Sequence, residues 1–287
     1  MNNFIPYLIL IAIFVPLIVW TIVHKREPGL ITVFSTYIGM IYFVEFFVLV
    51  VFSGYCYKPM VLSVPYYDNI LGAVISDLVV VPAIALVVAA FQLKNVWCVV
   101  LGILFGGIEW IFISLRVYQL YWWKIAYTIV VFTLFFIFAR YWLKKVRECC
   151  HPVMHFISLF LPSFMLVATI LFVTGVFGLH LDHIGVFAER HRDSVFIASI
   201  YGVLEALVFS AFQFWFPNSF KWNVSAVIYS ILFEYVLERM WIIDILVRPF
   251  VYYAVQLGCS LLVALLLFYM NRWLIQLMRI GMTDNSQ

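Results

Sequence analysis

Five carboxylates stand inside the apolar stretches of this sequence: Glu45, Asp77, Glu109, Glu205 and Glu234. A charge near the centre of a bilayer costs about 2.5–3.5 kcal/mol on insertion scales. Acids kept at that cost read in three ways. They bind a cation, a proton or an amine-bearing solute, they act as hydrogen-bonded packing elements between helices, or they serve as general acids and bases. Some have cations within reach. Arg116 follows Glu109 by two helical turns on the same face. Arg239 and Arg248 flank the outer end of the segment that carries Glu234, and Arg140 stands where it can snorkel to the opposite side. Asp68 and Asp193 are expected to guard the mouth of a cavity. The expected solute-binding set is therefore Glu45, Asp68, Asp77, Glu109, Arg116, Asp193, Glu205 and Glu234.

A second polar cluster lies in residues 179–194, where His180, Asp182, His183, Glu189 and His191 fall together. Imidazole with carboxylate suits zinc or manganese. The spacing matches no recognised metal site, so the segment reads as an exposed polar loop, and the sequence names no metal. Cys149, Cys150 and His151, with His155, read as reduced thiols in a basic loop. The five cysteines are odd in number and scattered, which argues against a disulfide framework. There is no phosphate-binding glycine loop, no HExxH and no GxSxG. No cofactor is implied and no recognised catalytic residue is present, so the sequence assigns no enzyme class.

The elements that must position these acids follow from composition. The chain has 287 residues, 66% hydrophobic and 11% charged, where a soluble domain is about half apolar and about a quarter charged. A soluble fold would expose large apolar patches. The chain therefore reads as an all-α, polytopic transmembrane bundle with the lipid bilayer as its solvent. A net charge of +3 is too small to suggest nucleic acid. A helix needs about 20 apolar residues to cross the hydrocarbon core, and about nine such spans are read. They fall at 4–23, 30–53, 70–92, 96–115, 125–142, 153–178, 195–217, 222–240 and 250–274. The runs are continuous rather than alternating, which excludes a β-barrel. Lys25 and Arg26 follow the first run instead of preceding it, so that run is expected to be a retained span. Lys144, Lys145 and Arg147 close span five, placing that end inside and the N-terminus outside. All five buried acids then fall between the midplane and the outer face. Tyr66-Tyr67, the run Tyr118–Trp123 and Tyr252-Tyr253 read as an outer aromatic belt.

A shift of 125 residues superposes Asp68 on Asp193, Glu109 on Glu234, Trp97 on Trp222 and Tyr127 on Tyr252. It also superposes spans two to five on spans six to nine. Four spans separate equivalent helices, so the halves would share one orientation, as a parallel repeat. The expected division is an N-terminal span (1–29), a first four-span repeat (30–150) and a second repeat with a short tail (151–287).

Residues 109–127 run from Glu109-Trp110 through Tyr118, Tyr121, Trp122-Trp123-Lys124 and Tyr127. This pattern resembles an uncharacterised family of small five-span membrane proteins in Gram-positive spore-forming bacteria. In that family a glutamate in the penultimate helix precedes a Tyr-x-x-Trp-type loop. Residues 1–145 resemble one such unit, and residues 153–275 resemble its last four spans. The second half keeps Glu234 but has Trp241, Asp244, Arg248 and Pro249 in place of the aromatic loop. The resemblance implies a bacterial plasma membrane and no known activity.

The leading expectation is a transporter, channel or carrier for a small solute or cation, with an outward-facing acidic cavity between the halves. Two alternatives stand beside it. One is a non-catalytic scaffold or sensor, working with a membrane-protein partner or as a homo-oligomer. The other is an intramembrane enzyme acting on a lipid-linked substrate.

Overall fold

The computed structural model describes residues 3–148, 151–217 and 219–284. Cys149 and Cys150 lie outside the described residues, as do Met1 and Asn2. The chain is built of nine helices among those residues. In order they are α1 (Ile5–Lys25), α2 (Gly29–Val51), α3 (Pro65–Ala90), α4 (Asn95–Ser114), α5 (Ile125–Glu148), α6 (Pro152–Val176), α7 (Arg190–Trp215), α8 (Phe220–Arg239) and α9 (Pro249–Asp284). Eight are long and apolar enough to cross a membrane. The other is α8: its 20 residues suffice in length, but Lys221, Asn223, Glu234, Glu238 and Arg239 dilute its apolar character.

Several helices run beyond the apolar runs that announced them. α3 starts at Pro65 and α7 at Arg190, each five residues earlier than expected, because Pro65 and an acid in the first turn suit a helix N-terminus. Asp77 is thus about 18 Å from the start of α3, and Glu205 about 22 Å from the start of α7, at 1.5 Å per residue. Both helices have 26 residues and span about 39 Å. Asp77 therefore lies near mid-helix and Glu205 just past it, deeper than expected.

The helices are joined by two small antiparallel ribbons that hydropathy does not reveal. β1 (Tyr55–Tyr57) pairs with β2 (Tyr118–Leu120), and β3 (His180–Asp182) pairs with β4 (Ile243–Ile245). Each ribbon ties the α2–α3 or α6–α7 loop to the loop two helices later. The register runs Tyr55 to Leu120 in one and His180 to Ile245 in the other, offset by 125 residues at both ends. Left-handed backbone recurs at the same offset: Ser53 and Gly178, Met60 and Gly185, Arg116 and Trp241 all have positive φ.

The described chain divides into two compact units, Met1–Cys150 with Leu277–Gln287, and His151–Gln276. In the first, α3 is the most enclosed helix and packs against α1, α2 and α5, while α4 pairs with α5. Gly102 and Gly106 make that pairing close. A Cβ on Gly106 would stand 2.6 Å from Ile129, and one on Gly102 would stand 2.2 Å from the Thr133 hydroxyl. At the end opposite the ribbon, Arg147 pairs with Glu27, and Arg140 donates to the Leu93 carbonyl and to Asn95. In the second unit α6 packs along α7, and Val167, Leu171, Tyr201, Phe209, Tyr252 and Leu267 join one core.

Two stretches of the first unit are π-helical: Phe46–Val51 at the end of α2 and Ser76–Val80 in the middle of α3. The second precedes Pro82, whose ring crowds the carbonyl four residues back and whose missing N–H breaks the ladder. A widened turn accommodates both, and such turns are frequent at functional sites. Glu45 immediately precedes one π stretch and Asp77 lies in the other.

Candidate functional site

The widened turns and the ribbon border a cavity of about 300 Å³ inside the first unit. Sequence alone places such a cavity between the halves; the structure opens it among α1 to α5 and the β1–β2 ribbon. Glu45, Asp77 and Glu109 all line it. The rest of the wall is apolar or aromatic, apart from the hydroxyls of Ser76, Thr128 and the tyrosines, and among the described residues no Lys, Arg or His lines it.

The acids differ in how far they are satisfied. Glu45 Oε2 accepts a hydrogen bond from the Tyr55 hydroxyl, while its Oε1 is buried without a partner. Asp77 has the Ser76 hydroxyl beside it. Glu109 is 8% exposed, and neither of its carboxylate oxygens has a hydrogen-bond partner. The Thr128 and Tyr118 hydroxyls stand nearby; Thr128 Oγ1 accepts from the Trp123 indole N–H at 2.7 Å, which leaves its own O–H free to donate toward Glu109. Leaving a buried polar group unpaired costs about 1–3 kcal/mol, and more for a charged one. Unpartnered acceptors on a cavity wall mark a place where a ligand completes the bonding.

The ribbon supplies the aromatic end of the cavity. Tyr57 and Tyr118 face each other across it with ring centroids 4.8 Å apart, and Tyr55 lies 5.3 Å from Tyr118 and 5.8 Å from Trp123. Tyr57 is held from two sides. Its N–H donates to Asn69 Oδ1 at 2.7 Å, and Gly72 lets α3 approach so closely that a Cβ there would stand 2.3 Å from the Tyr57 Cβ. Burial pushes the Tyr55, Tyr57 and Tyr118 hydroxyls well above the ordinary phenol range, so they stay neutral donors.

The second unit gathers its acids differently. Glu205 and Glu234 line a space of only about 10 Å³, roughly one water in size. Glu205 Oε1 accepts from Ser230, which meets Ser260 at 3.2 Å, and Glu234 Oε1 accepts from Gln256 at 2.9 Å. Glu234 Oε2 alone of these oxygens is left over. Beside them runs a chain that sequence reasoning missed. Thr174 meets His180 at 3.0 Å, His180 meets Asp182 at 2.9 Å, and Tyr201 donates to Asp182 at 3.3 Å. His180 and Asp182 are fully buried, contrary to the exposed loop expected for residues 179–194. The apolar residues that alternate with polar ones in Leu179–Leu181 were the available signal for a strand.

Other expectations are corrected by geometry. Asp68 and Asp193 guard no mouth: they bind backbone. Asp68 accepts from the N–H groups of Met60, Val61 and Leu62, and Asp193 from those of Ile184, Gly185, Val186 and Phe187. Arg116 is no partner of Glu109. α4 ends at Ser114, and Arg116 sits exposed in left-handed backbone (φ 59°), so the helical face it was to share is broken. The aromatic belt divides: Tyr121 and Trp122 are exposed, Tyr118 and Trp123 line the cavity, and Tyr66, Tyr67 and Tyr252 are buried. Among the described residues, no group of three or more His, Cys, Asp or Glu side chains is placed to hold a metal ion, and Cys56, Cys98 and Cys259 are free thiols.

Comparison with protein-family models, with curated proteins and with solved structures finds no match to this chain. What fold and site define is an integral membrane protein of long apolar helices with an acid-lined, aromatic-ended cavity in one unit.

Proposed function

We propose that this chain binds a small cationic solute in the cavity of its first unit and carries it across the membrane. The observation that carries the reading is Glu109. It is buried, both of its oxygens lack partners, and it shares a 300 Å³ cavity with Glu45 and Asp77 while among the described residues no basic side chain lines the wall. Three carboxylates in one membrane-embedded space favour a positively charged guest. The wide turns at Glu45 and Asp77 are the points where α2 and α3 can flex to admit and release a solute.

The second unit is proposed as a copy of α2 to α5 whose cavity is filled by its own polar side chains. The shared 125-residue offset of ribbons, helix starts and left-handed residues supports duplication. The bonds of Glu205 to Ser230 and of Glu234 to Gln256, around a space only about one water in size, support a scaffold role for this unit rather than a second solute site. The resemblance to five-span bacterial membrane proteins rests on Glu109 and the Tyr118–Trp123 loop, of which Glu109, Tyr118 and Trp123 line the cavity. It supports a bacterial plasma membrane, and Lys144, Lys145 and Arg147 support an orientation with that end inside and the ribbons outside.

Flux through proteoliposomes tests the reading. Uptake of a labelled cation by the wild type is expected to fall at least tenfold in Glu109→Gln and in Asp77→Asn, and to persist in Glu234→Gln. Equal uptake in all four, or none above empty vesicles, would reject it.

A further inference from the structure

We infer that the ligand of this cavity is a primary ammonium ion on a compact apolar body, an organic amine rather than an inorganic cation. This rests on the reading that the cavity binds a cation, and it names the class.

Size comes first. Small-molecule sites occupy about 300–1,000 Å³, whereas a space of about 10–15 Å³ holds a water. The cavity, at about 300 Å³, belongs with the former. A bare metal ion would leave nearly all of it empty, and a hydrated one would set its water against rings.

The wall decides between a polar and an apolar body. Phe105, Phe112, Phe132 and Phe135 line the cavity along with Ile75 and Val131. These side chains offer no hydrogen bond, so the part of the ligand they touch is hydrocarbon or aromatic. The Tyr55, Tyr57, Tyr118 and Trp123 cluster adds ring faces, which attract organic cations by about 0.5–2 kcal/mol per well-placed contact.

The acceptors decide the head group. Three carboxylate oxygens on this wall lack partners: Glu45 Oε1 and both oxygens of Glu109. A primary ammonium carries three N–H donors and no acceptor. A quaternary ammonium has none, and would leave all three oxygens unbonded. Charged N–H···O⁻ bonds are about twice as strong as neutral ones, so a primary head at Glu45 or at Glu109 gains bonds that the methylated one cannot make.

The test uses the full chain purified in detergent, with binding read by equilibrium dialysis and by thermal shift. The probe is benzylammonium. Its comparators are benzyltrimethylammonium, the neutral benzyl alcohol, sodium and potassium. Benzylammonium is expected to bind and to raise the unfolding temperature. Benzyltrimethylammonium is expected to bind at least tenfold more weakly, and benzyl alcohol and both metal ions not at all. Glu109→Gln and Glu45→Gln should each weaken benzylammonium at least tenfold, and the wild-type comparison stands alone if either variant fails to fold. Equal binding of the trimethyl and primary heads, or binding of benzyl alcohol, overturns the ammonium assignment. Binding of sodium or potassium without benzylammonium overturns it while the cation reading stands. Absence of binding by every cation overturns both.

Discussion

Asp68 and Asp193, 125 residues apart, hold equivalent loops by equivalent bonds. Asp68 gathers the backbone N–H groups of Met60, Val61 and Leu62, and Asp193 gathers those of Gly185, Val186 and Phe187 together with Ile184. Each acid sits in the first turn of its helix, so the helix dipole adds to the N–H bonds. Asp68→Ala and Asp193→Ala are each expected to destabilise the protein by about 2–4 kcal/mol, since several charge-assisted bonds are lost and buried donors are left unpaired. Thermal unfolding in detergent measures it; an unchanged midpoint would show that the loops hold without their carboxylates.

The α4–α5 contact makes a sharper contrast between neighbouring glycines. Gly106 has Ile129 and Ile125 against it, while a Cβ on Gly107 meets nothing within 4 Å. Gly106→Val is expected to cost about 1–3 kcal/mol by overpacking. Gly107→Ala is expected to be neutral or slightly stabilising, because alanine is the better helix former. Paired melting curves check the difference. Equal midpoints for the two variants would mean that the helices part without cost.

His180 and Asp182 form a buried pair at the head of the second unit. Removing the imidazole leaves the carboxylate with the Tyr201 hydroxyl alone. Leaving a buried hydrogen-bonding group without its partner costs about 1–3 kcal/mol, and more for a charged group. His180→Ala is therefore expected to lower thermal stability strongly and to leave the affinity of the first unit's ligand unchanged. Dialysis at a temperature where the variant stays folded separates the two effects, and a large loss of affinity would give the second unit a part in binding.

The span pattern was legible because hydropathy averages over about 20 residues and survives local irregularity. The acids were legible for the same reason, since a carboxylate in such a run stands out. What each acid does was not. Asp68 and Asp193 look like mouth residues until the loops fold back onto them. Arg116 looks like a partner for Glu109 until a left-handed residue turns the chain. His180 and Asp182 look solvated because the strand that buries them has three residues and the alternation at Leu179–Leu181 is easily read as loop. The cavity was expected between the halves, but its location depends on facing side chains that a linear sequence does not show. Phe105, Val131 and Phe135 surround space in one unit, while of the residues at the same offset Ser230 and Gln256 bond to acids in the other and Ser260 bonds to Ser230. The spacing Gly102-x-x-x-Gly106 marks the α4–α5 contact.

The most direct measurement is an anomalous-difference map from crystals of the full chain soaked in 4-bromobenzylamine. The account predicts a bromine peak inside the first unit, among Phe105, Phe132 and Phe135, with the amine end at Glu109 and Glu45. A peak confined to the Glu205–Glu234 space or to the lipid-facing surface, with the first cavity empty, would contradict it.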